Sequence, residues 1–163
     1  MQKLIIKGGR KLSGETDLQG AKNSSLPILA AAVLADGVSV IKNCPVLSDI
    51  YSACRILTYL GCQCDFRDNT VSVQSTEYSS CIISDELMRE MRSSVIFLGA
   101  VLGRFGECRL SFPGGCELGP RPIDMHLAAL RKMGVTICEK YGMIECRAEK
   151  GLKGAKITLQ FPS

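Results

Sequence analysis

Histidine occurs once, at His126, and tryptophan is absent from this chain of 163 residues. A single histidine excludes any multi-histidine metal site, and with its neighbours Arg121 to Asp124 it cannot complete a His-paired catalytic triad; the default for His126 is a half-buried helix histidine. Long apolar runs are also missing. The longest, Leu26 to Ala35, contains Pro27 and stops at Asp36, short of the roughly 18 residues that a membrane-spanning helix needs. Blocks of one charge are absent too: 20 Lys+Arg stand against 16 Asp+Glu, a net charge of +4, scattered along the chain. A nucleic-acid backbone draws a clustered basic face, so this scatter suits small anionic ligands better than nucleic acid, and with no spanning apolar run neither a nucleic acid nor a membrane is expected as partner.

The amino terminus, MQKLIIKGGRKLSG, lacks the apolar stretch of a signal peptide. The nine cysteines (Cys44, Cys54, Cys62, Cys64, Cys81, Cys108, Cys116, Cys138 and Cys146) are odd in number and follow no framework spacing. Both features point to a reducing, cytoplasmic setting with free thiols. What is present is a globular composition, 46% hydrophobic and 22% charged, in a chain long enough to bury about two-thirds of its unfolded surface.

The chain repeats itself. Lys22 to Val73 and Met91 to Cys146 each run through Ser-Ser, an apolar helical stretch, a Gly, a strand, a loop and a second helix closed by Gly. Ser24 to Ser93 and Gly37 to Gly106 are 69 positions apart, whereas Gly61 to Gly134 is 73 apart. Four extra residues therefore fall in the connecting loop, NCPVLSD in the first copy and FPGGCELGPRPID in the second. A loop lengthened in one copy only is a candidate functional element. Leu152-Lys153-Gly154 with the strand-like AKITLQ echoes Leu12-Ser13-Gly14 with ETDLQ, so a third copy begins there and the chain stops at Ser163, where its first helix should start; it reads as a truncated piece.

Periodicity predicts strands over 3–7, 15–19, 38–42, 63–67, 70–74, 107–112, 135–139, 143–147 and 155–160. Helices are expected over 23–36, 48–60, 86–104 and 123–133, with Ser48 and Asp49 as N-caps of the second and Gly61 and Gly134 as left-handed helix ends. Each unit is then β-α-β-α-β-β, a helix-covered α/β sheet whose free apolar face should pack on another unit.

Pro113-Gly-Gly-Cys-Glu-Leu-Gly-Pro-Arg-Pro122 is the most distinctive loop: its glycines open backbone geometries that Pro120 and Pro122 then confine. Cys116 at its tip, near Arg121, could serve as acid or nucleophile, or be an incidental loop cysteine. Lys22-Asn23 opens a helix, where unpaired N–H groups and the dipole favour phosphate or carboxylate; a plain cap with a solvated lysine is the alternative. Arg92 occupies the matching place in the second copy. Arg121-Pro122-Ile123-Asp124 pairs a bidentate anion donor with an acidic first turn, which simple capping by Asp124 would also explain. Cys62-x-Cys64 puts two thiols on one strand face, but no second pair stands at zinc-finger spacing; the remaining cysteines read as small core hydrophobes.

GAKN, NCPVLSDI, MRSSVIFLG, RFG, PGGCELGPRPIDMHL and LKGAKITL together resemble the amino-terminal portion of the UDP-N-acetylglucosamine 1-carboxyvinyltransferases, within the enolpyruvyl transferase family. The resemblance covers the whole chain. It implies an inside-out α/β barrel of six βαβαββ repeats in two domains, of which about two repeats are present here. Residues 1–21 would belong mainly to the second domain, and 22–163 to a partial first domain.

The implied reaction transfers the enolpyruvyl group of phosphoenolpyruvate to the 3-hydroxyl of UDP-N-acetylglucosamine through a tetrahedral ketal. This is the first committed step of peptidoglycan synthesis, hence of cell-wall biogenesis, cell shape and division. No cofactor or metal is implied. By resemblance Cys116 is the catalytic loop cysteine and the target of the epoxide antibiotic fosfomycin. Lys22, Asn23 and Arg121 bind phosphoenolpyruvate. Asn23, Arg92, Arg121, Pro122, Ile123, Asp124, Met125 and Ser163 contact the nucleotide sugar. Ile123 and Met125 stand where relatives often carry Val and Leu, and Phe161-Pro162 where they often carry Lys and Val.

The family's general-base aspartate and further arginines come from the missing second domain, so the chain alone is expected to bind weakly and turn over nothing. The apolar faces that missing repeats would cover offer a surface for self-association. The alternative is a non-catalytic half-domain of the same fold, a binding or assembly module without special reactivity at Cys116. A distant likeness to RNA 3′-phosphate cyclases would demand salt-dependent RNA affinity, which the scattered charge opposes.

Overall fold

The computed structural model describes residues 3–75, 79–112 and 122–161. Two three-stranded antiparallel sheets lie against helices. The first copy comprises α1 (Lys22–Ala31), β1 (Gly37–Ile41), α2 (Ser48–Tyr59), β2 (Gln63–Arg67) and β3 (Thr70–Ser75). A connecting helix α3 (Asp85–Glu90) leads to the second copy, α4 (Ile96–Phe105), β4 (Glu107–Ser111), α5 (Asp124–Lys132), β5 (Thr136–Lys140) and β6 (Met143–Arg147). The sheet orders are β1-β3-β2 and β4-β6-β5, the same arrangement twice.

The repeat holds to the level of individual pairs. Val38 faces Gln74 as Glu107 faces Arg147, and Gln63 faces Gln74 as Thr136 faces Arg147. The offset is 69 positions in the first strand of each copy and 73 in the other two, so the four extra residues do lie between β4 and α5. Each helix before the hairpin ends on a left-handed glycine, Gly61 at φ 105° and Gly134 at φ 90°. Their partners match: Gly61 N–H donates to Thr58 O and Gly134 N–H to Arg131 O, each at 3.0 Å. Both hairpins turn through two residues of positive φ, Asp68-Asn69 and Tyr141-Gly142, the turn whose twist suits a two-residue hairpin.

One apolar core spans both copies, with Phe97, Leu29, Ile56, Leu57 and Leu110 fully buried. The carboxyl ends of the equivalent helices meet there. An ideal Cβ on Gly103 of α4 would lie 3.2 Å from Leu34, and Arg104 Nη2 reaches Asp36 Oδ1 at 2.6 Å.

The helix expected over 86–104 is broken in two. Ser84 caps α3 by accepting from Leu87 N–H at 3.4 Å, and Met91 is extended. A short 3-10 turn, Arg92–Val95, then precedes α4, and the buried Ser94 hydroxyl donates back to Met88 O at 3.0 Å. Similarly the first helix closes in a 3-10 turn, Ala32–Leu34, instead of running unbroken to 36. Leu47, not Ser48 or Asp49, is the N-cap of α2, and Ile123, not Asp124, that of α5. His126 is exposed, not half-buried.

The strands expected at 3–7, 15–19 and 155–160 do not form; these segments are exposed, Leu4 to 88% and Leu18 to 89%, Leu159 less so at 45%. A strand is stable only when its N–H and C=O groups find a neighbour, and no strand among the described residues pairs with them. The second copy shows what such pairing looks like. Ile82, which periodicity does not mark as strand, bridges Arg109 of β4 in parallel, with Ile83 N–H on Arg109 O at 2.9 Å.

Candidate functional site

Gly20 sets the geometry at the start of α1. Its N–H donates to Asn43 Oδ1 at 3.2 Å, and a Cβ there would come within 1.7 Å of the Asn43 carbonyl oxygen, so only glycine lets the two loops approach. Ala21 follows in extended conformation as the N-cap, and the next residues, Lys22 and Asn23, form the first turn of α1. Pro27, one turn on, has no N–H to give the Asn23 carbonyl.

Lys22 Nζ lies 2.9 Å from Asp49 Oδ2 in the first turn of α2, with the lysine side chain 43% exposed. The ammonium is thus held across the α1–α2 contact and stays partly exposed. Cys44, next to Asn43, is buried, and burial pushes its thiol up, against a lowering hydrogen bond with Ser25. It is a packing residue here rather than a nucleophile.

The same helix α2 reaches the second basic position. Six residues beyond Asp49, Arg55 Nη2 pairs with Glu90 Oε2 at 2.6 Å, at the end of α3 and two residues before Arg92. Arg92 begins the turn that leads into α4, the counterpart of Asn23 in the first copy. α2 therefore ties the start of α1 to the segment that carries Arg92.

A groove of about 230 Å³ lies between α5 and the extended segment 157–160. Asp124 and Met125 form one wall and Ile157 to Gln160 the other, so two of the expected nucleotide residues border a concave surface. Pro122 is exposed and Ile123 buried at the entrance to α5. Cys116, Arg121 and Ser163 lie outside the described residues.

The structure thus brings Lys22 to Asp49 next to the contact of Gly20 with Asn43, and sets Asp124 and Met125 across a groove from 157–160; Asn23 follows Lys22 in the first turn of α1. Local sequence pattern marks neither Asp49 nor the 157–160 wall as part of a site. Asp49 carries a local signal only for capping, because its partner lies 27 positions earlier. No group of three or more metal-ligating side chains occurs among the described residues. Nor is any helix there long and apolar enough to cross a membrane.

The family model for EPSP synthase (3-phosphoshikimate 1-carboxyvinyltransferase) matches residues 6–163. UDP-N-acetylglucosamine 1-carboxyvinyltransferase 2 of Caldanaerobacter subterraneus subsp. tengcongensis is 47% identical over 163 residues, all of this chain and 39% of the relative. The UDP-N-acetylglucosamine 1-carboxyvinyltransferase of Trichlorobacter lovleyi is 47% identical over 157 residues, 96% of this chain and 38% of the relative. The chain therefore spans about two-fifths of the length of these relatives. Among solved structures, the enolpyruvyl transferase NikO from Streptomyces tendae superposes with a TM-score of 0.76 at 25% identity, over 90% of this chain and 32% of that one. EPSP synthase from Acinetobacter baumannii gives 0.68 at 16% identity, over 92% of this chain and 35% of its own, a likeness of fold.

Proposed function

We propose, for a chain that belongs to the EPSP synthase (3-phosphoshikimate 1-carboxyvinyltransferase) family, that it is the amino-terminal portion of an enolpyruvyl transferase acting on UDP-N-acetylglucosamine. The observation that carries this reading is the 47% identity, across all 163 residues, with a relative of that name. Phosphoenolpyruvate would give its enolpyruvyl group to the sugar 3-hydroxyl and release phosphate, in the cytoplasm, as a step of peptidoglycan synthesis.

In this reading Lys22, Asn23 and Arg121 hold the carboxylate and phosphate of phosphoenolpyruvate. Lys22 arrives already oriented by Asp49, so little side-chain freedom remains to be lost on binding. Asn23, Arg92, Arg121, Pro122, Ile123, Asp124, Met125 and Ser163 hold the nucleotide sugar, with the α5 groove as its apolar floor. Fixed cations aimed at multiply charged ligands supply most of the stabilisation as charge moves onto the departing phosphate. The Cys116 thiol gives its proton to the enolpyruvyl methylene carbon as the sugar oxygen bonds to the neighbouring carbon and passes its own proton to the general base, which yields the tetrahedral ketal; loss of phosphate and of one methyl proton then restores the double bond.

Residues 1–21 and the extended 151–161 belong, on this proposal, against the rest of a full-length enzyme, whose second domain supplies the general base. The chain alone then binds the nucleotide sugar weakly and releases no phosphate. Titration with UDP-N-acetylglucosamine, followed at the Met125 methyl by NMR, should show saturable shifts, while a phosphate-release assay with both substrates stays at background. Release at a rate near that of a full-length enzyme overturns the fragment reading; no shift at Met125 overturns the nucleotide site.

A further inference from the structure

Asn43 lies in the loop that follows β1, and the chain ahead of α1 rests against it. Its Oδ1 accepts the Gly20 N–H at 3.2 Å, and its carbonyl oxygen occupies the space that a Cβ on Gly20 would need. Its backbone is left-handed, at φ 56°, a conformation that asparagine tolerates better than most residues. The next residue fastens this loop to the first hairpin. Cys44 N–H donates to Asn69 O at 2.7 Å, and the Cys44 thiol turns back to Ile41 O at 3.6 Å.

The second copy shows what these positions do without that clasp. At the offset of 69, Gly20, Lys22 and Asn43 correspond to Arg89, Met91 and Phe112. Arg89 lies in α3 and pairs with Asp85, Met91 is extended and 1% exposed, and Phe112 donates its backbone N–H to Gly142 O at 3.0 Å. The place of Lys22 is therefore a core position in the second copy. In the first copy the chain is held on Asn43 at Gly20, and Lys22 opens α1 with its side chain 43% exposed and Nζ 2.9 Å from Asp49 Oδ2.

From these differences we propose that Asn43 is a positioning residue for Lys22. By clasping the chain at Gly20, it sets the ammonium on Asp49 and outside the core, where an anion can meet it. The inference rests on the reading that Lys22 receives phosphoenolpyruvate, and it gives Asn43 no contact with the substrate. The role makes two demands on the residue. Its side chain must offer an acceptor to the Gly20 N–H, and its backbone must be left-handed; aspartate meets both demands and glycine only the second.

The test reads Lys22 first without ligand. Competitive acetylation of the native chain with acetic anhydride, followed by peptide mass spectrometry, gives the rate of each lysine, which ion pairing slows. In Asn43→Gly the Lys22 rate should rise about threefold, the loss of an exposed ion pair, with Lys140 and Lys153 unchanged. In Asn43→Asp it should stay at the native value or below. The Gly20 amide of the native chain should exchange with deuterium about tenfold more slowly than that of Gly14 in the exposed amino-terminal segment, after correction for intrinsic rates. Phosphoenolpyruvate is then titrated against the Lys22 amide by NMR, where Asn43→Gly should weaken binding about fivefold, while uridine diphosphate shifts Met125 equally in both chains. An unchanged Lys22 rate in Asn43→Gly, a raised one in Asn43→Asp, an unprotected Gly20 amide, or equal losses of both ligands overturns the positioning role. If phosphoenolpyruvate leaves the Lys22 amide of the native chain unshifted, the substrate reading fails, and the acetylation rates still decide whether Asn43 positions Lys22.

Discussion

Lys22 Nζ sits 2.9 Å from Asp49 Oδ2, so a residue that opens the first helix is fixed by one that opens the second. A pair this exposed contributes only about 0–1 kcal/mol to folding. Its value is placement of a cation, and folding and binding should therefore separate on mutation. Lys22→Gln should leave urea-denaturation stability within about 1 kcal/mol of the parent. It should weaken phosphoenolpyruvate binding by about tenfold or more, the loss of a charge-assisted contact, as calorimetry in a full-length enzyme would read.

Gly20→Ala attacks the contact that positions the same helix. The new methyl meets a backbone oxygen, that of Asn43, which cannot rotate away as a side chain could. Destabilisation of about 1–3 kcal/mol is expected in chemical denaturation. Asn43→Ala in the same background should not restore stability, because the clashing atom remains.

The two copies make a paired prediction at Gly61 and Gly134, both left-handed and both ending the helix before a hairpin. At Gly134 nothing lies within 4 Å of the position an added methyl would take, so the cost of alanine there is backbone strain alone. Gly134→Ala and Gly61→Ala should each cost about 1–2 kcal/mol by urea denaturation. A cost at one glycine only would break the equivalence.

Much of this architecture is legible in the residues themselves. The 69 and 73 offsets locate the insertion, and the hairpins, the left-handed glycines and most of the helical stretches follow from local pattern and spacing. What escapes depends on distant partners. Alternating residues at 3–7, 15–19 and 155–160 read as strands because period two reports a face, whereas a strand also needs a neighbour. Ile82 is the opposite case, since a single bridge to Arg109 gives no periodic signal. Met91 breaks a helix that apolar pattern alone would continue, because Ser94 turns back to Met88. In the site, Lys22 and Asn23 stand out by sequence, but Asp49 becomes meaningful only when α1 and α2 pack.

If, as proposed, Cys116 lies in the reactive loop of an enolpyruvyl transferase, the chain should react with fosfomycin at one place. Intact-mass spectrometry after fosfomycin treatment in the presence of UDP-N-acetylglucosamine tests this most directly. Opening of the epoxide by the Cys116 sulfur adds the whole antibiotic to the chain, so the account predicts one adduct, mapped to Cys116 and absent in Cys116→Ala. An unmodified chain, or adducts spread over several of the nine cysteines, would contradict it.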